Sequence, residues 1–147
     1  MKDTNVVVEK MKVLLGSSYT LYLKTHNFHW NVTGPMFTSL HTLFETQYLE
    51  LALAVDEIAE RIRTLGVAAP GTYKAFSKLS LVQEEEGVPN ATAMIDQLVA
   101  DQALITQVAK EVIEAAEASR DQASADLATR RIEIHQKNAW MLRSHLE

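Results

Sequence analysis

The sequence predicts an all-α fold: a four-helix bundle with a short extra helix in the long crossover between its second and third helices. Two observations support this. All three prolines and every glycine except Gly16 lie between Gly34 and Pro89, clustered at Gly34-Pro35, Gly66 to Gly71 and Gly87-Val88-Pro89. The pieces left between these breakers are long and repeat their apolar residues in steps of three and four. No run of any length alternates with the two-residue period of a strand.

The first helix is expected from about Asn5 to Asn31. Val8, Met11, Leu15, Tyr19 and Tyr22 form its apolar stripe, and the same spacing continues to His26 and His29, beside Phe28 and Trp30. Two histidines on such a face are either core residues bonded to backbone or metal ligands. The turn at Thr33-Gly34-Pro35 folds His29 towards the start of the second helix, where His41 sits, and this favours ligation for His29.

The second helix, residues 38–65, carries two stripes. Leu40, Phe44, Tyr48, Leu51, Val55, Ile58, Ile62 and Leu65 mark the core face. One position further round run His41, Glu45, Leu49, Ala52, Asp56 and Glu60, apolar in the middle and metal-binding in character at both ends. Glu45 and Asp56 are separated by about 16 Å along the axis, too far for one ion to touch both. Two copies packed antiparallel about a two-fold axis between positions 50 and 51 close the gap. His41 then faces Glu60, Glu45 faces Asp56 and Leu49 faces Ala52, the self-complementary pattern of an isologous contact. The alternative is a solvated acidic face with His41 on the surface. Against it, Asp56 and Glu60 are a like-charge i, i+4 pair, costing a helix about 0.2–0.5 kcal/mol unless a cation sits between them. Glu57 and Arg61 read as an i, i+4 ion pair, and Gly66 ends the helix.

After Ala69-Pro70-Gly71, the segment TYKAFSKLS suits a short helix crossing outside the bundle and adding to the two-fold contact, with Tyr73 and Phe76 as its apolar face. Gln83 to Glu86 read as a solvated loop. Asn90 or Thr92 caps the third helix, whose inner face is Met94, Leu98, Ile105 and Val112. The fourth helix is expected after a turn at Ala118 to Ser124, with Ser124 as N-cap and Asp126 in the first turn. Leu127, Ile134 and Met141 are its apolar series, with Trp140 adding bulk.

The 147 residues suit one domain, residues 1–147, with a sizeable core. There is no cysteine, so disulfides and thiolate sites are excluded. No apolar run near the start suits a signal peptide or membrane span, and a cytoplasmic location is expected. Net charge is −5, from 14 Lys and Arg against 19 Asp and Glu. An acidic chain has no general attraction for phosphate backbones and suits a cationic partner. Two imidazoles with several carboxylates and no thiolate favour ferrous iron, manganese or zinc. Bundles that build a di-metal site inside one chain use Glu-x-x-His pairs. No histidine here has an acid three positions before it, so a site between chains is the better reading.

The blocks His26-Asn27-Phe28-His29-Trp30, Gly34, Leu40-His41 and Asp56-Glu57-Ile58-Ala59-Glu60-Arg61 resemble the signature of the Dps mini-ferritins, the DNA-binding proteins from starved cells. The likeness extends to the short helix after Gly71 and to Trp140-Met141-Leu142. It implies a dodecameric shell of ferritin-like four-helix subunits with ferroxidase centres at the dimer interfaces. There, His29 and His41 of one subunit and Asp56 and Glu60 of its mate would bind ferrous iron for oxidation by hydrogen peroxide. Zinc or manganese would compete. Glu45 stands where the family usually has aspartate. His26, where some relatives carry lysine, and Trp30 fall where a proton network would lie, and Glu117, Asp121 and Asp126 match the family's acidic pore segment.

Two other readings compete. DNA compaction would need a lysine-rich tail, but only Lys2 precedes the first helix, Lys10 and Lys12 fall within it, and the chain ends Ser-His-Leu-Glu. Binding to DNA is therefore expected to be weak or absent. A purely structural oligomer would use the His and acid stripe as polar interface alone.

Overall fold

The computed structural model describes residues 2–147, with side chains from residue 5 onward; the Lys2 side chain lies outside the described residues. Four long helices, α1 (Lys2–Asn31), α2 (Phe37–Thr64), α4 (Ala91–Ala118) and α5 (Gln122–Arg143), enclose the core, and the short α3 (Tyr73–Leu79) lies in the crossover. α1 packs on α2 and α4, α4 on α5, and α3 on α1. Among the described residues there is no strand, and no helix is long and apolar enough to cross a membrane.

The apolar stripes meet in the interior. Met11, Leu15 and Phe28 of α1, Phe44, Leu51 and Ile58 of α2, and Met94, Leu98, Ile105 and Val112 of α4 are all buried. Each side chain of this size contributes about 1.5–3 kcal/mol through apolar burial. Gly34 permits the sharp reversal between α1 and α2, since its φ of 101° is one that side-chain-bearing residues rarely adopt.

Several details depart from the sequence reading. α1 begins at Lys2, ahead of Asn5. α5 starts earlier than expected because Asp121 caps it, accepting from Ser124 N at 3.1 Å, which leaves Asp126 beyond the first turn. The buried face of α5 is Ser124, Ala125, Leu127, Ala128, Arg131, His135, Asn138, Ala139 and Leu142, so Leu127 of the expected series is core. Ile134 and Met141 are only half-buried, and Trp140 is exposed. Glu57 and Arg61 do not pair with each other. Glu57 reaches Arg130 and Arg61 reaches Asp121, because both have a partner across the α2–α5 seam. Phe76 is buried, but Tyr73 is exposed. The loop at Gln83 to Glu86 is tied down: Lys24 Nζ donates to Gln83 O at 2.8 Å, and Glu85 accepts from Gly87 N and Gln97.

α3 docks where α1 has no side chain. A Cβ on Gly16 would sit 2.8 Å from Leu79 Cβ and 3.2 Å from Phe76 O, neither of which can swing aside. Gly16→Ala is therefore expected to destabilise by about 1–3 kcal/mol through overpacking, despite alanine's better helix propensity. Gly71→Ala, in open space at an unstrained position, is expected to be neutral or slightly stabilising. Urea midpoints of the two variants test this; a Gly16→Ala protein as stable as wild type would contradict the docking.

Candidate metal centre

The end of α1 and the start of α2 are joined by two crossed hydrogen bonds. His29 Nδ1–H donates to His41 O, and His41 Nδ1–H donates to His29 O, each at 2.7 Å. The His29 carbonyl lies in the last turn of α1, where backbone oxygens have no partner within the helix. A carbonyl can only accept, so both bonds place a proton on Nδ1 and leave Nε2 of each ring as the nitrogen not engaged by the backbone. Metal-binding histidines are oriented in this way, by a backbone oxygen holding the other ring nitrogen.

The two imidazoles stack, with centroids 3.8 Å apart and planes 14° from parallel. Phe37 stacks on His41 at 5.0 Å, and Tyr48 meets His29 edge-on at 5.2 Å. His29 is only 6% exposed, whereas His41 is half-buried. Beside them, His26 stacks between Trp30 at 3.8 Å and Tyr48 at 4.0 Å. Burial, and then the neighbouring His29, lower the basicity of His26. Burial, then Glu45 and Tyr22, push the Tyr48 phenol up.

Glu45 is exposed on α2, one turn after His41. Asp56 and Glu60 are exposed too, in a groove shared with Leu53, Arg61 and Asp126 between α2 and α5. They lie about 22 Å or more along α2 from His41. The chain thus brings the imidazoles together at one end of the stripe and leaves these two acids at the other. Leu49, Ala52 and Leu53 between them are exposed, giving α2 an apolar outer strip. Among the described residues, no three His, Asp or Glu side chains of one chain converge on a metal position.

Of the expected pore residues, Glu117 is exposed and Asp126 accepts from Gln122 at 2.8 Å. Asp121 is engaged in the fold itself, bonding Ser124 and pairing with Arg61 at 2.8 Å. Burial pushes its carboxyl up, but the Ser124 bonds and the Arg61 charge outweigh this and hold it below the usual range.

The ferritin-like domain family matches residues 8–147. The chain is 36% identical to DNA protection during starvation protein 2 of Bacillus anthracis, over 95% of this chain and 96% of that one. The chain belongs to the Dps family of ferritin-like proteins. It superposes on the crystal structure of a Dps protein from Bacillus brevis with a TM-score of 0.97 and 31% identity, covering 100% of this chain and 99% of that one. The Dps protein of Vibrio cholerae O1 gives 0.94 and 26%, covering 99% and 92%; it is described as a member of a broad superfamily of ferritin-like diiron-carboxylate proteins.

In this Dps-family chain, two buried polar groups escaped the sequence reading. Lys24 lies 2.8 Å from Asp101, both buried between α1 and α4. Between α2, α4 and α5, Arg131 pairs with Glu50 through both guanidinium ends and contacts His135 Nε2 at 3.1 Å, while His135 Nδ1 donates to Gln102 Oε1 at 2.7 Å. The available signal was the register Ser124, Ala128, Arg131, His135 on α5, a stripe of small and polar residues in helical steps.

Burial, and then Arg131, lower the pKa of His135 to about 3, from an ordinary 6.5. The unfolded chain therefore takes up this proton first. The stability involved is fully present above pH 6.5 and is lost as the pH falls towards 3, by up to ~1.4 kcal/mol per unit. His26 acts in the same direction. Between pH 6.5 and 5, above the carboxylate range, the urea midpoint is expected to fall, and a His135→Gln variant, though less stable, should lose most of that slope. An equal slope in both proteins would contradict the assignment.

Proposed function

We propose that this chain is an iron-detoxifying and iron-storing mini-ferritin whose ferroxidase centres are completed between two subunits. The observation that carries the reading is the crossed His29–His41 pair, which holds two imidazoles in place by Nδ1 and leaves Nε2 unengaged by the backbone. His41 of the pair stands on the same helix, α2, as an exposed apolar strip ending in Asp56 and Glu60. Antiparallel pairing of two α2 helices sets Asp56 and Glu60 of one copy beside His29, His41 and Glu45 of the other. The ligand set is then imidazole and carboxylate, which suits ferrous iron and admits zinc or manganese as competitors.

Carboxylates favour the ferric product, and neutral imidazole tolerates the ferrous substrate. Two ferrous ions each give one electron to hydrogen peroxide, which takes up two protons and leaves as water. Glu45, one methylene longer than the family's usual aspartate, reaches the second iron position. His26 and Trp30 flank the centre as a proton-handling group. The ferric product is stored as mineral inside a cytoplasmic homo-oligomeric shell, a dodecamer by family resemblance, with Glu117 and Asp126 at its acidic entry path and Asp121 bracing it. The reaction consumes the two reagents that together make hydroxyl radical.

Nothing in the charge distribution favours DNA as the principal partner. Lys10 pairs with Glu111 at 3.5 Å and Lys12 with Glu9 at 3.3 Å, so these two lysines are already neutralised on α1.

The test is anaerobic ferrous iron followed by peroxide, with ferric absorbance recorded for wild type and an Asp56→Ala, Glu60→Ala double variant of unchanged assembled size. Loss of two direct ligands is expected to slow oxidation by more than the roughly 10–100-fold that loss of an outer-shell partner costs. Equal rates would overturn the proposal.

A further inference from the structure

One cross-section of the bundle is polar on all four long helices. Thr25 of α1, Gln47 of α2, Gln102 of α4, and Arg131 and Asn138 of α5 are each more than nine-tenths buried. Yet Thr25 Oγ1, Gln47 Nε2 and Oε1, Gln102 Nε2, Arg131 Nε and Asn138 Nδ2 make no hydrogen bond among the described residues. The contacts around them set these groups at one level. Gln102 and Arg131 hold the same imidazole: Gln102 Oε1 accepts from His135 Nδ1 at 2.7 Å, and Arg131 lies 3.1 Å from His135 Nε2. Arg131 also grips Glu50 at 3.0 Å, one turn from Gln47. α2 and α5 run antiparallel, since Arg61 pairs with Asp121 and Glu50 with Arg131, so the turn holding Gln47 faces the stretch from His135 to Asn138. On the α1–α4 side, Lys24 meets Asp101 at 2.8 Å, which sets Thr25 at the level of Gln102.

We propose that this layer is an internal hydration site, in which ordered water bridges the four helices. Buried donors and acceptors in folded proteins are paired, with protein groups or with ordered water. Six unpaired atoms, at about three bonds to each buried water, call for about two molecules. The set of atoms selects the ligand. The charges of the layer already pair within it, Lys24 with Asp101 and Arg131 with Glu50. A cation would meet N–H donors on Gln47, Gln102, Arg131 and Asn138. An anion would leave Gln47 Oε1 without a donor and would bring a charge that no group remains to balance. A small neutral molecule that both donates and accepts satisfies every member, and water is the one at hand. The layer opens to solvent beside Glu50, whose side chain is 34% exposed, whereas the five residues with unpaired atoms are closed off. Exchange with bulk water therefore runs past Glu50 through the α2–α5 seam. The bound water ties α2 to its neighbours on the face turned away from His41 and Glu45.

The test is a high-resolution crystal structure of the assembled protein, paired with quadrupolar relaxation of the water oxygen, which counts long-lived internal water in solution. Both are applied to wild type and to a Gln47→Met, Asn138→Leu double variant, which keeps the side-chain bulk and removes both amides. Wild type is expected to show about two waters within hydrogen-bond distance of the six atoms. The double variant should lose at least one of them, and the count of internal water per subunit should fall by the same number. Asn138→Ser is the gentler change and the second variant. It makes room at the same polar edge, so it is expected to gain a water where the double variant loses one. A wild-type layer in which Gln47 and Asn138 bond each other directly, with no water among the six atoms, would overturn the proposal. So would a water count that neither variant changes.

Discussion

The crossed hydrogen bonds between His29 and His41 are the constraint on which the rest of the site depends. They fasten the last turn of α1 to the first turns of α2, supply a partner for a helix-end carbonyl, and set the tautomer of both rings together. Without that bond to His29 O, the His41 ring would be free to turn. With it, the two rings stack at 3.8 Å, each with one nitrogen committed to the backbone and one left for a ligand. The short turn closed by Gly34 makes the arrangement available, because it brings residues 12 apart in sequence face to face.

The same bundle handles its buried charge in another place and in another way. Between α2, α4 and α5, where four-helix bundles hold intrachain metal sites, Arg131 lies against Glu50 and His135. A guanidinium there supplies permanently the positive charge that Glu50 needs, and burial, with the guanidinium charge adding to it, lowers the basicity of His135. Charge inside the bundle is thereby paired within the chain, whereas His41, Glu45, Asp56 and Glu60 stand on the outer stripe of α2. This division accounts for an α2 helix whose inner stripe is ordinary core and whose outer stripe ends in imidazole and carboxylates.

Much of this was legible in the sequence, for identifiable reasons. Breakers clustered between Gly34 and Pro89 delimit the helices because backbone chemistry is local, and the buried faces of α1, α2 and α4 follow from apolar periodicity. The approach of His29 to His41 was readable from the Thr33-Gly34-Pro35 turn. The inner face of α5 was legible only at Leu127, because its other buried residues are small or polar, and apolar periodicity does not pick out Ser124, Arg131, His135 or Asn138. Ion-pair partners were misjudged for a related reason. Glu57 and Arg61 look like a local pair by spacing, but Arg130 and Asp121 compete from across the seam, which a one-dimensional reading does not contain.

The central claim is that imidazoles and carboxylates of one centre come from different subunits, and a mixed assembly tests it most directly. Subunits carrying His29→Ala and His41→Ala would be co-refolded in equal amounts with subunits carrying Asp56→Ala and Glu60→Ala, and ferrous oxidation by peroxide would be measured against either parent. Each mixed dimer would rebuild one complete centre and one doubly defective one, so random pairing should restore about one quarter of the wild-type centres. Activity near that fraction, from two inactive parents, is the expected result. A mixture as inactive as its parents, with the assembled size preserved, would contradict a centre shared across the two-fold axis.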